Sequence, residues 1–206
     1  MDSFAAYQRF TRSTAIYPGV DGYGDKAGTA LRYLGLGLVG ESGEVADKVK
    51  KIIRDGDSMV TEERRDALLA ECGDVLWYAA RVIDHCETTL GAVVGNPNLD
   101  SFGAFQGRVT DESRRVTHPQ FNGTVTELNY LALLLCSQSG DAALRIAGEV
   151  VGGMPFTPEP LRAVLETLTR IIAFVGGNLG EVATANRDKL LSRQERGVLT
   201  GSGDVR

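Results

Sequence analysis

Leu36-Gly37-Leu38-Val39-Gly40-Glu41-Ser42-Gly43-Glu44-Val45-Ala46-Asp47-Lys48 is the stretch on which the reading of this chain turns. It reads as helix, and residues three apart on a helix share a face, so Glu41 and Glu44 point the same way. Glu71 and Asp74, in Glu71-Cys72-Gly73-Asp74, repeat that spacing on the next helical stretch. If the two helices pack antiparallel, four carboxylates converge. Like charges cannot share a partly buried site without raising their own pKa values. A hard divalent cation removes the conflict, and Mg²⁺ prefers carboxylate oxygens together with phosphate and water. One E-x-x-E on a helix is usually a solvated acidic patch. Two such pairs on successive helices, beside apolar runs, favour a site over a patch.

With 206 residues the chain can build one good core or two small ones. A net charge of -5 argues against a nucleic-acid binder, which would carry a basic surface, but not against a small anionic ligand held through a metal. Cys72, Cys86 and Cys136 are odd in number and form no C-x-x-C, so neither a disulfide framework nor a zinc site is expected; each reads as a small core residue. Met1-Asp2-Ser3-Phe4 lacks a basic region followed by an apolar run, so no signal peptide is expected, and the longest apolar run, Leu131 to Cys136, is too short to span a bilayer. The expectation is a cytoplasmic protein with neither nucleic acid nor membrane as a partner.

Taken in order, the chain reads as all-α. Residues 2–16 form an amphipathic helix, with Phe4, Tyr7 and Phe10 on one side, ended by the turn chemistry of Tyr17 to Gly24. A long helix spans about 27–54, and Asp55-Gly56-Asp57-Ser58 breaks it. A third starts at the acids Glu62 and Glu63 and runs to about Glu87. Leu90 to Gly95 is a short helical turn stopped by Asn96-Pro97.

The pattern then begins again. Asp2-Ser3-Phe4-Ala5-Ala6-Tyr7-Gln8 returns as Asp100-Ser101-Phe102-Gly103-Ala104-Phe105-Gln106, and Tyr33 to Glu44 returns as Tyr130 to Asp141. Leu90-Gly91-Ala92-Val93 returns as Leu179-Gly180-Glu181-Val182. Such self-similarity marks a tandem duplication. In the second copy Gln138 and Asp141 stand for Glu41 and Glu44, and Pro160 and Ala163 fall opposite Glu71 and Asp74. Its helix ends are better built: Thr124 with Glu127 makes a capping box, Thr157-Pro158 opens helix seven, and Asn178 with Glu181 caps helix eight. Helix eight carries Asn186, Lys189, Arg193 and Arg196 along one stripe, with no cationic equivalent in the first copy. The units expected are 1–99, 100–196 and a Gly-rich flexible tail at 197–206.

These residues resemble the MazG-like family of all-α nucleoside triphosphate pyrophosphohydrolases. The likeness rests on Glu41-Ser42-Gly43-Glu44-Val45-Ala46-Asp47-Lys48, on Glu71-Cys72-Gly73-Asp74-Val75-Leu76-Trp77-Tyr78, and on the Lys-Leu-x-x-Arg-x-x-Arg-Gly ending that follows Asn186. The departure is the whole second copy, which intervenes where a single-copy member would join acids and C-terminal motif almost directly. The resemblance implies a helical bundle binding Mg²⁺, with Mn²⁺ a possible substitute, through Glu41, Glu44, Glu71 and Asp74. It implies cleavage between the α- and β-phosphates to give a monophosphate and pyrophosphate, in sites lying within subunit pairs. Two tandem four-helix repeats, the second degenerate, would then form a pseudo-dimer within one chain, with one working site, one dead site around Gln138 and Asp141, and further pairing into a homodimer of pseudo-dimeric chains.

Within that picture the four acids are the metal ligands, or one of them, Glu41 for instance, holds the attacking water. Lys48 and Lys51 either meet the triphosphate or are solvated. Asn186, Lys189, Arg193 and Arg196 are substrate-binding candidates, against the alternative of cations favoured by a helix C-terminus. Tyr7, Gln8, Tyr33, Trp77 and Tyr78 are candidates for holding the base, with Trp77 preferred because it lies three residues after Asp74. His85 and His118 receive no role, and Asp204 and Arg206 either close over the nucleotide or belong to a loose end. The rivals are a dUTPase- or dCTPase-type all-α pyrophosphatase, a phosphoribosyl-ATP hydrolase, and a non-catalytic helical module binding nucleotide or metal.

Overall fold

The computed structural model describes residues 1–20, 25–55, 59–116, 124–152 and 157–199, and among them every regular element is a helix. In chain order these are α1 (Phe4–Ser13), α2 (Asp25–Arg54), α3 (Glu62–His85), α4 (Leu90–Val93), α5 (Phe102–Val116), α6 (Val125–Gly152), α7 (Pro160–Phe174) and α8 (Leu179–Glu195). The all-α reading holds. No helix among the described residues is long and apolar enough to cross a membrane.

Several boundaries are tighter than the sequence predicts, because side chains set them. Ser3 caps α1 by accepting from the Ala6 amide, which moves the start in from residue 2, and Thr14 closes it. Thr61 caps α3 through the Arg64 amide, and Cys86 ends it before Glu87 turns left-handed at φ 54°. Asn178 caps α8 as expected, its side chain accepting from Glu181 N at 3.1 Å. Helix α7 is a correction. It opens at Pro160 rather than at Thr157-Pro158, with no side-chain cap bond from Glu159. Proline suits the first helical position because its fixed φ is helical and its missing N–H would have had no partner within the helix.

The long helices α2 and α6 form the spine and run antiparallel. Gly35 lies against Ala143 and Ile146, and seven residues on Ser42 Oγ is 2.8 Å from Ser139 Oγ. Both serines are fully buried, and Ser42 also donates to Leu38 O, so the crossing point is polar but satisfied. Helix α3 packs antiparallel on α2 and α7 packs on α6, with α1, α4, α5 and α8 closing the far side.

Two pairs of contacts on that far side have matching form. Ser3 Oγ donates to Asp100 Oδ2 at 2.8 Å and Ala5 N to Asp100 Oδ1 at 2.7 Å, while Ser101 Oγ donates to Asp2 Oδ2 at 2.7 Å and Gly103 N to Asp2 Oδ1 at 2.8 Å. Likewise Gln8 Nε2 donates to Thr88 O and Gln8 Oε1 accepts from Leu90 N, while Gln106 Nε2 donates to Gly177 O and Gln106 Oε1 accepts from Leu179 N. Gln8 is therefore a buried brace for the start of α4. Phe4, Tyr7, Phe102 and Phe105 fill the space between α1 and α5, with Phe4 and Phe102 edge-to-face at 4.7 Å. Truncating such a ring to alanine costs about 3–5 kcal/mol.

Candidate active site

Antiparallel packing of α2 on α3 brings the acid pairs together. Glu41, Glu71 and Asp74 each offer a carboxylate oxygen, and these three atoms lie within 4.8 Å of one another. Glu44 lies outside that group, exposed on α2. Three residues fall short of a 3.6-residue turn by about 60°, enough to turn Glu44 off the face that Glu41 presents to α3. The expectation of four convergent acids thus narrows to three, with Glu44 close enough for its charge to act on Glu41.

Burial pushes the Glu41 carboxyl up to about 7; the charges of Asp74 and Glu71 add to the rise, and Lys189 opposes it. The Asp74 carboxyl is also raised, chiefly by burial, with Lys189 pulling the other way. Two of the acids are held by cations: Lys48 Nζ is 2.9 Å from Glu71 Oε1, and Lys189 Nζ is 2.6 Å from Asp74 Oδ1. Glu41 has no ion pair among the described residues, and burial sets its charge more than any cation does. Three carboxylates this close, one of them uncompensated, are a donor set suited to a hard divalent cation.

Helix α8 reaches this cluster because α3 carries Gly73 there. A Cβ at Gly73 would stand 3.0 Å from Asn186 Cβ, tighter than side chains normally pack. Asn186 is buried, donates to Asp74 Oδ1 at 2.9 Å and accepts from the Tyr7 hydroxyl at 2.8 Å. One turn beyond Asp74, Tyr78 fills the space above Gly37, where any Cβ would overlap its ring. Tyr33 is part-exposed and stacks on Tyr17 at 5.3 Å, and Tyr78 packs edge-on against Trp77. On the other flank of α3, a cavity of about 290 Å³ opens toward α8, lined by Leu69, Ala70, Gly73, Val182, Asn186 and Lys189.

A family model described as the MazG nucleotide pyrophosphohydrolase domain matches residues 30–94. The gene 37 protein of Mycobacterium phage L5 is 48% identical over 87 residues, which is 42% of this chain and 75% of that protein. The chain belongs to the MazG nucleotide pyrophosphohydrolase family. No solved structure matches it.

The MazG domain stretch holds all four acids, Lys48, Tyr33, Trp77 and Tyr78. Asn186 and Lys189 come to it from α8, outside the matched residues. Of the other residues singled out in the sequence, Lys51 is turned away from the cluster, exposed and paired with Asp47 at 2.6 Å, because it lies seven residues beyond Glu44 on the solvent side of α2. Arg193 is near enough for its charge to lower the Asp74 pKa. Arg196 is exposed at the end of α8 and donates to Ser192 O at 3.1 Å. Trp77 is half-buried and donates Nε1–H to Thr14 Oγ1 at 3.1 Å, which ties it to α1. Tyr7 is fully buried and touches no open surface.

The sequence reading missed one polar assembly. Arg81 is 3% exposed, pairs with Asp84 at 2.7 Å and donates to the Tyr17 hydroxyl, which also meets His85 Nε2 at 2.8 Å. Its signal was the spacing Arg81-x-x-Asp84-His85, which puts cation and acid on one helix face. His85 thus has a structural partner. His118, Asp204 and Arg206 lie outside the described residues.

Proposed function

We propose that the chain is a divalent-metal-dependent hydrolase that cleaves a nucleoside triphosphate between the α- and β-phosphates, releasing a monophosphate and pyrophosphate, in the upkeep of the nucleotide pool. The observation that carries this is the cluster of Glu41, Glu71 and Asp74 within 4.8 Å, rimmed by Lys48 and Lys189, inside a MazG domain. These three acids would hold Mg²⁺, or Mn²⁺ in its place, with Glu44 at the margin. The ion supplies charge neutralisation on the phosphate oxygens and a more acidic water. The chain's own residues do the rest. Glu41, the acid among these three without an ion pair among the described residues, would share the ion with Glu71 and Asp74 and is the candidate to hold the attacking water through its free oxygen. Lys48 and Lys189 stand where they can exchange a carboxylate for a phosphate oxygen, with Arg193 behind them. Tyr33, Tyr78 and Trp77 offer flat surfaces to the base one to two turns from the acids.

The same reading makes the chain a tandem duplicate, 1–99 and 100–196, folded as a pseudo-dimer. The matched bonds of Asp2 and Asp100, the matched clamps of Gln8 and Gln106, and the contact of Ser42 with Ser139 support it. One composite site per chain follows: acids from the first copy, Asn186 and Lys189 from the second. Pairing of two such chains into a homodimer belongs to the same reading.

The test is ³¹P NMR of products from a panel of deoxy- and ribonucleoside triphosphates with Mg²⁺. Monophosphate with pyrophosphate, lost in Glu71→Gln, is the expected result. Orthophosphate would place cleavage at another bond. Binding without turnover of any nucleotide would leave a non-catalytic module.

A further inference from the structure

We propose that Tyr7 is a positioning residue for the acid cluster, acting through Asn186 to aim the Asp74 carboxylate at the divalent cation. The inference rests on the metal site proposed above.

Tyr7 is 0% exposed and cannot touch a nucleotide. Its hydroxyl nevertheless has one specific partner: it donates to Asn186 Oδ1 at 2.8 Å, and Asn186 Nδ2 donates to Asp74 Oδ1 at 2.9 Å. A carboxamide can be turned either way round, and only one way is useful here. With Oδ1 toward Asp74, two acceptors would face each other. A phenol donating to Oδ1 holds the amide so that its N–H points at the carboxylate, and polarises that N–H further. Asp74 Oδ1 is then engaged by Asn186 and Lys189 together, Lys189 Nζ bonds Oδ2 as well, and the carboxylate's orientation is set from α1 and α8 rather than from its own helix. Gly73 is what lets Asn186 come so close.

The molecule contains its own control. Phe105 occupies on α5 the place that Tyr7 occupies on α1: each precedes a clamping glutamine, Gln106 or Gln8, and each lies one helix turn from the shared contacts of Asp2 and Asp100. Phe105 is 1% exposed and packs against Phe4, as Tyr7 packs against Phe102. Packing at this position therefore does not need a hydroxyl. Burying a phenol is unfavourable unless it is bonded. The hydroxyl is present on the copy whose neighbour faces Asp74, and absent where the sequence match puts Ala163.

Tyr7→Phe, which copies the ring found at Phe105, is the decisive variant. Mn²⁺ affinity is read from the free-ion EPR signal without nucleotide, in wild type, Tyr7→Phe, Asn186→Leu, the double variant and Asp74→Asn, with circular dichroism melts as the folding check. The expected result is a loss of roughly tenfold in Mn²⁺ affinity for Tyr7→Phe, at the low end of what partners of metal ligands are worth. Adding Tyr7→Phe to Asn186→Leu produces no further loss, because one route carries both effects. If Tyr7→Phe binds Mn²⁺ as wild type does while Asp74→Asn loses it, the positioning role is wrong and the metal site stands. If wild type and Asp74→Asn bind Mn²⁺ equally, the metal site itself is wrong and the inference falls with it.

Discussion

Glu41 and Gln138 sit one residue before the two serines that meet where α2 crosses α6, and their surroundings have little in common. Around Glu41 stand Glu71 and Asp74, two lysines, and a buried asparagine that orients one of the acids. Around Gln138 the amide Oε1 is buried without a partner, and Asp141 points outward to pair with Arg145 at 2.8 Å on its own helix. An exposed i,i+4 pair of this kind is worth about 0.3–0.5 kcal/mol. One side of the spine gathers three half-buried carboxylates, two of them held by lysines. The other carries one exposed ion pair on its own helix and a neutral amide, with no gathering of acids among the described residues. A cluster of acids thus survives in a half-buried place only where other groups supply its counter-ions, here Lys48 from α2 and Lys189 from α8.

The largest effect expected of this contrast is on turnover. Asp74→Asn and Glu71→Gln each lower kcat/KM by roughly a thousandfold, the scale on which charge stabilisation acts in such sites. Gln138→Ala and Asp141→Ala stay within about twofold, since neither touches the acid cluster. A steady-state assay of pyrophosphate release measures all four, and equal losses on the two sides would erase the contrast.

Next in size is the division among cations. Lys189→Met raises KM about tenfold or more by removing a charge at the site, whereas Lys51→Met and Arg196→Met change it by less than about twofold, as expected of exposed cations bonded within their own helices. Initial rates over a range of substrate concentration separate the two groups.

A smaller and more diagnostic effect concerns stability. The folded-state pKa of Glu41 is raised from 4.5 to about 7, so the folded protein binds a proton there that the unfolded chain has already lost. The stability this gives is complete below about pH 4.5 and is lost as pH rises through about 7. In EDTA, Glu41→Gln is therefore more stable than wild type at about pH 8, by a few degrees of melting temperature, and the gap closes toward about pH 5. Melting curves at the two pH values test it; a gap of the same size at both would mean that Glu41 is not held in a charge-averse place.

Much of this was legible in the chain. The acids declared themselves by spacing, and the helix count followed from apolar periodicity and from caps such as Asn178. The antiparallel pairing of α2 with α3 was only a condition of the sequence argument, and the structure supplies it. What stayed hidden depends on contacts across the fold. Nothing in the residues near Tyr7 announces that it meets Asn186, 179 positions away. Glu44 looked equivalent to Glu41 because a three-residue step keeps the face only approximately, and the surplus angle decides which carboxylate α3 sees. Asn186 and Lys189 were read as substrate contacts from their stripe; their bonds to Asp74 needed the approach that Gly73 permits.

The most direct measurement is the stoichiometry of nucleotide binding. For isothermal titration with a triphosphate carrying a non-hydrolysable α–β bridge, in the presence of Mg²⁺, the expected result is one site per chain, abolished by Asp74→Asn and untouched by Gln138→Ala. Two equivalent sites per chain, or loss of binding in Gln138→Ala, would contradict a single composite site built from the first-half acids and the last helix.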